Sequence, residues 1–167
     1  MSVLISKDSF IYCDGACNSI TIQGWGTVSD SDGRCLLSKN KSYIIHDMIV
    51  KDVTVFNKTW TVIVADFADV KTQNNNGAEL LALVAAFRIA IANNIRTIKC
   101  DSDLLVKWWS KGHISKKAKC GMDKEKYSMI LECVKLRTLF ESNGGILEKI
   151  SGDNNLADLG WHKRSLS

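Results

Sequence analysis

Residues 78–92 constrain this chain more than any other feature, because they read AELLALVAAFRIAIA and are apolar nearly all round. Alanine and leucine favour helix, and only Glu79 and Arg88 carry charge there. A helix without a polar stripe has to be covered on most of its surface. A sheet on one side, with further helices about it, provides that cover. Asn74-Asn75-Asn76-Gly77 breaks the pattern before it and Asn93-Asn94 ends it, and the apolar run 80–92 is too short to cross a bilayer.

The rest of the chain supplies the expected sheet. Residues 9–13 alternate and read as a strand ending at Asp14-Gly15, and residues 21–29 read as a second strand before a turn over 30–33. Residues 43–50, 53–57 and 60–67, rich in Val, Ile and Thr, read as a continuing antiparallel meander. After the apolar helix, Thr97–Cys100 reads as a short buried strand, followed by a helix over about 102–110 and a longer one over about 123–141. Asn143-Gly144-Gly145 is a stop signal, 146–150 the last strand, and 155–164 a possible closing helix. The expected order is β-β-β-α-β-α-α-β-α, a mixed sheet flanked by helices. At 167 residues the chain suits one domain, residues 1–167.

Six cysteines form no C-x-x-C pair, so they read as reduced, buried thiols rather than a disulfide framework or a zinc site. The first seven residues lack an apolar region of signal-peptide length, which suggests a soluble, cytoplasmic protein without a membrane partner. The net charge of +4 is unevenly placed, since residues 107–126 hold seven lysines against Asp123 and Glu125. Such a run is either a solvated face or a phosphate-binding edge. Trp108 and Trp109 stand inside it, and one of two adjacent tryptophans is expected to be core.

Four acids fall where the pattern changes element: Asp14 after the first strand, Glu79 in the first helical turn, Asp101 after Thr97–Cys100, and Asp158 after the last strand. Each has a structural alternative. Asp14-Gly15 is a turn dipeptide, Glu79 has capping-box spacing from Asn76, Asp101 suits a helix cap, and Asp158 suits a helix start.

The flanking residues carry more. Tyr12-Cys13-Asp14-Gly15-Ala16-Cys17 resembles the first-strand motif of the ribonuclease H type 1 family. Asn74-Asn75-Asn76-Gly77-Ala78-Glu79-Leu80 is similar to its T-N-N-x-x-E-L segment, Cys100-Asp101-Ser102 to its D-S motif, and Asn154-Asn155-Leu156-Ala157-Asp158 to its N-x-x-x-D element. They stand in family order over about residues 9–162. The resemblance implies an α/β ribonuclease H-like fold with a central five-stranded mixed sheet flanked by helices.

It also implies an endonuclease that hydrolyses the RNA strand of RNA–DNA hybrids, with Asp14, Glu79, Asp101 and Asp158 as catalytic, metal-holding acids. Two Mg²⁺ ions, about 4 Å apart, serve phosphodiester hydrolysis, with Mn²⁺ able to substitute. Magnesium prefers hard oxygen ligands, and four crowded acids repel one another unless cations neutralise them. By the same resemblance, Gly15, Ala16, Cys17, Asn18, Asn75 and Asn76 line the minor groove and sense the RNA strand. Lys116, Lys117 and Lys119 belong to a basic handle, and Trp108 suits an aromatic contact on the DNA strand. The expected partner is the hybrid, bound by a monomer.

This sequence departs from the family pattern in three places. The loop at 150–153 is short and lacks the histidine that many members carry there, which leaves His162, four residues after Asp158, as a candidate for proton transfer. Asp103 stands where glutamine is frequent, and the 34–60 region is longer than the usual hairpin. Two other functions fit less well: another nuclease of the same fold, such as a DNA junction resolvase, and a nucleic-acid-binding module without turnover. A pure binding surface gains nothing from acids clustered near phosphate.

Overall fold

A computed structural model describes residues 9–18, 23–38, 48–55, 57–64 and 76–158. Its strands are β1 (Phe10–Asn18), β2 (Gln23–Ser29), β3 (Ile49–Val55), β4 (Lys58–Val64), β5 (Thr97–Cys100) and β6 (Ile146–Lys149). The helices are α1 (Asn76–Asn93), the single turn α2 (Lys116–Lys119) and α3 (Lys124–Ser142). The strands form one mixed sheet in the order β3-β4-β2-β1-β5-β6. β1, β5 and β6 run parallel, whereas β2, β4 and β3 pair antiparallel.

The apolar helix finds its expected cover. α1 packs across β1 and β2 on one side and against α3 on the other. Its residues from Leu80 to Phe87 are fully buried, and Arg88 is answered by Glu132 of α3 at 2.6 Å. α3 buries Ile130, Cys133, Arg137 and Phe140, one stripe at helical spacing. Its Phe140 ring lies 5.4 Å from that of Phe87. α1 has the length and hydropathy of a membrane span, but here the sheet and α3 take up that surface.

On its opposite face the sheet carries a second apolar cluster of Trp25, Val53, Trp60, Val62 and Val64. The register explains it, since Trp25 lies opposite Val64 and Val53 opposite Trp60. Lys51 and Lys58 place their ammonium groups over the Trp25 and Trp60 rings, at 5.9 and 5.4 Å.

Four expectations need correction. The sheet has six strands, not five, because the long 34–60 region contributes the edge strand β3. The break expected at Lys51-Asp52 is absent: these residues lie inside β3, exposed at the sheet edge, and Asp52 accepts a 3.0 Å hydrogen bond from Thr61. β1 does not end at Asp14 but runs on to Asn18, since antiparallel pairing with β2 continues to Asn18↔Gln23. Residues 102–110 do not form a regular α-helix. Leu104–Trp108 is a π-turn and Trp109–Lys111 a 3₁₀ turn, pinned by buried Arg137, which donates to the Val106 carbonyl and the Ser110 hydroxyl.

Residues 43–47, 65–67 and 159–164 of the expected strands and closing helix lie outside the described residues. Cys13, Cys100 and Cys133 are buried free thiols, as expected, while Cys35 is half-buried and Cys120 exposed.

Candidate active site

The register of the parallel strands brings the acids together. Cys13 of β1 is opposite Cys100 of β5. β5 stops there, so Asp14 and Asp101, the next residues on each chain, stand side by side at the strand ends. The N-terminal turn of α1 lies directly on β1 at this point. A Cβ at Gly15 would run into the Glu79 amide nitrogen and the Ala78 carbonyl carbon, so only glycine allows the contact. That approach carries Glu79 to the two aspartates. One carboxylate oxygen from each of Asp14, Glu79 and Asp101 falls within a 4.8 Å set.

Asp158 stands outside that set, but its charge raises the carboxyls of both Asp14 and Asp101. It is brought near by a turn that Asn155 organises. The buried Asn155 amide donates to the Cys13 carbonyl at 2.9 Å and to Asp101 Oδ2 at 3.2 Å, and its oxygen accepts from the Ala157 amide at 3.0 Å. Thr27 of β2 fastens the same turn by donating to the Ala157 carbonyl at 2.7 Å. Neither Asn155 nor Thr27 stood out as a site residue in the sequence. Asn155 belongs to the segment Asn154-Asn155-Leu156-Ala157-Asp158, and burial rather than spacing marks it as the organiser.

Crowding shows in the electrostatics. Burial, then the charges of Asp101, Asp158 and Glu79, pushes the Asp14 carboxyl up to about 9 against the pull of the Gly15 amide. Burial and Asp101 push Glu79 up to about 7, opposed by a hydrogen bond from the Ser102 side chain. Asp101 is also raised, by burial first and by Asp158, while Asn155 and Lys149 hold it back. A donor set of partly buried carboxylate oxygens, without a nitrogen or sulfur ligand among the three, suits a hard divalent cation. Such a cation would relieve the repulsion.

The helix-cap alternative for Asp101 is not realised, because Ser102 caps instead, accepting from the Leu105 amide at 3.2 Å. Asp103 faces away into solvent and pairs with Lys107 at 3.1 Å and Lys149 at 3.9 Å. Trp109 is core and Trp108 is 54% exposed, edge-on to His113 with ring centroids 6.5 Å apart. Lys116, Lys117 and Lys119 are exposed on α2, which Ser115 caps, and Lys119 also lies over the Tyr127 ring at 5.3 Å. Gly15, Ala16, Cys17 and Asn18 lie on β1 at and beyond Asp14, and Asn76 opens α1. Asn75 and His162 lie outside the described residues.

No protein-family model and no curated protein matches the sequence. Among solved structures, a ribonuclease H1 isolated from compost by a metagenomic approach aligns over 97% of this chain and 100% of its own, at 15% identity and a TM-score of 0.51. Ribonuclease H1 from the halophilic archaeon Halobacterium salinarum aligns over 90% of each chain at 17% identity, with a TM-score of 0.46. The first of these likenesses, over the full length of both chains, shows that this chain has the ribonuclease H-like fold.

Proposed function

We propose that this protein is a divalent-cation-dependent endonuclease that hydrolyses the RNA strand of RNA–DNA hybrids. The observation that carries the reading is the convergence of Asp14, Glu79 and Asp101 from three separate elements into one 4.8 Å set, on a ribonuclease H-like fold. Nothing in the packing of β1, α1 and β5 requires three partly buried acids to face one another, and their repulsion costs stability. A site that tolerates that cost is one that uses the charge.

Asp14, Glu79 and Asp101 would hold the cations, with Asp158 beside them. When bound, Mg²⁺ supplies an activated water and offsets the charge that develops on the departing O3′. The chain's own residues do the rest. Asn155 and Thr27 hold the Asp158 turn against β1, so that this acid stays near the other three. The backbone of Gly15 and beyond, with Asn76, borders the site and suits the reading of an RNA 2′-hydroxyl, which both donates and accepts. Trp108 offers an exposed ring and the α2 lysines offer charge to the DNA strand.

A cleavage panel tests the reading. With Mg²⁺, the protein should cut the RNA strand of a hybrid and leave duplex DNA, duplex RNA and a four-way junction intact. Preferential cutting of the junction would make it a resolvase, and hybrid binding without any cation-dependent cutting would make it a binding module.

A further inference from the structure

Lys149 is the last residue of β6, and the sheet register fixes its place. β6 runs parallel to β5 with Lys149 opposite Cys100. The Ile150 amide continues the ladder to the Cys100 carbonyl at 3.0 Å. The lysine is therefore one strand away from Asp101, on the outer side of the carboxylate cluster. Its ammonium donates to the Ile150 carbonyl at 2.8 Å and stands 3.9 Å from Asp103 Oδ1. Asp103 is itself shared with Lys107 at 3.1 Å. These two holds keep the ammonium beside the cluster rather than inside it. Its field still reaches Asp101, whose carboxyl it pulls down against the push of burial and Asp158.

We infer that Lys149 sets how tightly the carboxylate cluster holds divalent cations, weakening their binding so that they exchange. The inference rests on the reading of that cluster as a cation site. A fixed positive charge beside a site opposes an arriving dication by Coulomb repulsion, and ionic strength screens it where solvent has access. Lys149 has a third of its side chain exposed, so the effect is modest and salt-dependent. An ammonium paired fully with Asp101 would instead occupy a ligand oxygen. The contacts of Lys149 are the Ile150 carbonyl and Asp103, which keep a counter-charge beside Asp101.

Titration calorimetry with Mn²⁺ and Mg²⁺, on the full chain without nucleic acid and at low ionic strength, tests this directly. Lys149→Met should bind both ions more tightly, by about three- to tenfold, and the gain should shrink in high KCl. The cation-induced rise in melting temperature should start at correspondingly lower concentration. Lys149→Arg keeps the charge and should stay within about twofold of wild type, as should Lys107→Met, whose charge is farther from the cluster. Equal or weaker binding by Lys149→Met, with wild-type binding intact, overturns this inference alone. Equal gains in Lys149→Met and Lys149→Arg overturn it too, because the charge would then not be the cause. If the wild type binds neither ion, the inference falls together with the cation site on which it rests.

Discussion

The two wings of the sheet end differently, and the clustered acids collect on one of them. On the parallel wing, β5 and β6 are only four residues long and stop together at Cys100 and Lys149. β1 runs on past them, so its next residue, Asp14, faces a notch where strand pairing has ended. Asp101 and the Asn155 turn fill the rim of that notch, and Glu79 closes it from above. On the antiparallel wing, β2, β3 and β4 are seven residues each, and β3 and β4 pair along their whole length. They carry their own apolar cluster and contribute no member of the acid set. Sites in sheets with parallel strands form beyond the carboxyl ends of those strands, where no partner satisfies the chain. The long antiparallel strands back β1 and supply Thr27, which donates to the Ala157 carbonyl.

The sharpest way to break this contrast is Asp14→Asn. Cation-dependent cleavage should fall to background, because the amide keeps the shape but loses the ligand charge. The same change should stabilise the cation-free fold at pH 8 by on the order of 2 kcal/mol, a melting gain of roughly 4–8 °C. The sign follows from the folded carboxyl titrating near 9 rather than 3.8. The folded form holds its proton more tightly, so stability present below about pH 4 is lost as pH rises towards 9. Glu79, raised to about 7, adds to the loss between pH 4.5 and 7. Thermal melts of the wild type from pH 4 to 9, with and without Mg²⁺, should show this decline and its reversal by the cation. A mutant that melts below the wild type at pH 8 would show that the carboxyls do not strain one another.

Gly15→Ala comes next. Its Cβ would collide with backbone atoms of Ala78 and Glu79, and backbone cannot swing aside. Chemical denaturation should register a loss of about 3 kcal/mol, the upper end of overpacking costs. Cleavage should fall further than stability alone explains, because the displaced turn carries Glu79. Wild-type stability would mean that α1 does not sit on β1 as described.

Val62→Ala probes the other wing. Val62 is fully buried in the second cluster, and its truncation should cost roughly 2 kcal/mol. Hybrid cleavage at 25 °C should be unchanged, since no acid is touched. A drop in kcat without unfolding would show that the wings are not separable.

What could be seen in the sequence divides along the same line. α1, β5, β6 and the stop at Gly144 were legible because local chemistry determines them: an apolar run, a short β-branched strand, and a glycine at a φ of 88°. The carboxylate cluster was legible through its motifs. The length of β1 was not, because its end is set by pairing with β2, a long-range event that Asp14-Gly15 disguises as a turn. Lys51-Asp52 concealed β3 for a related reason, since an edge strand tolerates adjacent charges that a central strand would exclude. The π-turn at Leu104–Trp108 depends on Arg137 arriving from α3, which no local pattern announces.

The smallest expected effect lies on α2. Lys116, Lys117 and Lys119 are all exposed on that single turn, which has no buried residue. Replacing the three by glutamine should leave stability within about 0.5 kcal/mol of wild type, as for surface changes in general. If the turn holds the DNA strand of a hybrid, KM should rise while kcat stays unchanged, because these side chains contribute binding rather than chemistry. Each lost phosphate contact should also flatten the log–log dependence of binding on salt by roughly 0.9 if the hybrid behaves as B-form duplex. The count of real contacts follows from the slope. Lys119 lies over Tyr127 and so is the lysine least free to reach out, which favours a change nearer two contacts than three. Measuring KM and hybrid affinity from 50 to 300 mM KCl for wild type and triple mutant decides it. An unchanged slope would reduce this turn to a solvated face and leave hybrid binding to the residues around the notch.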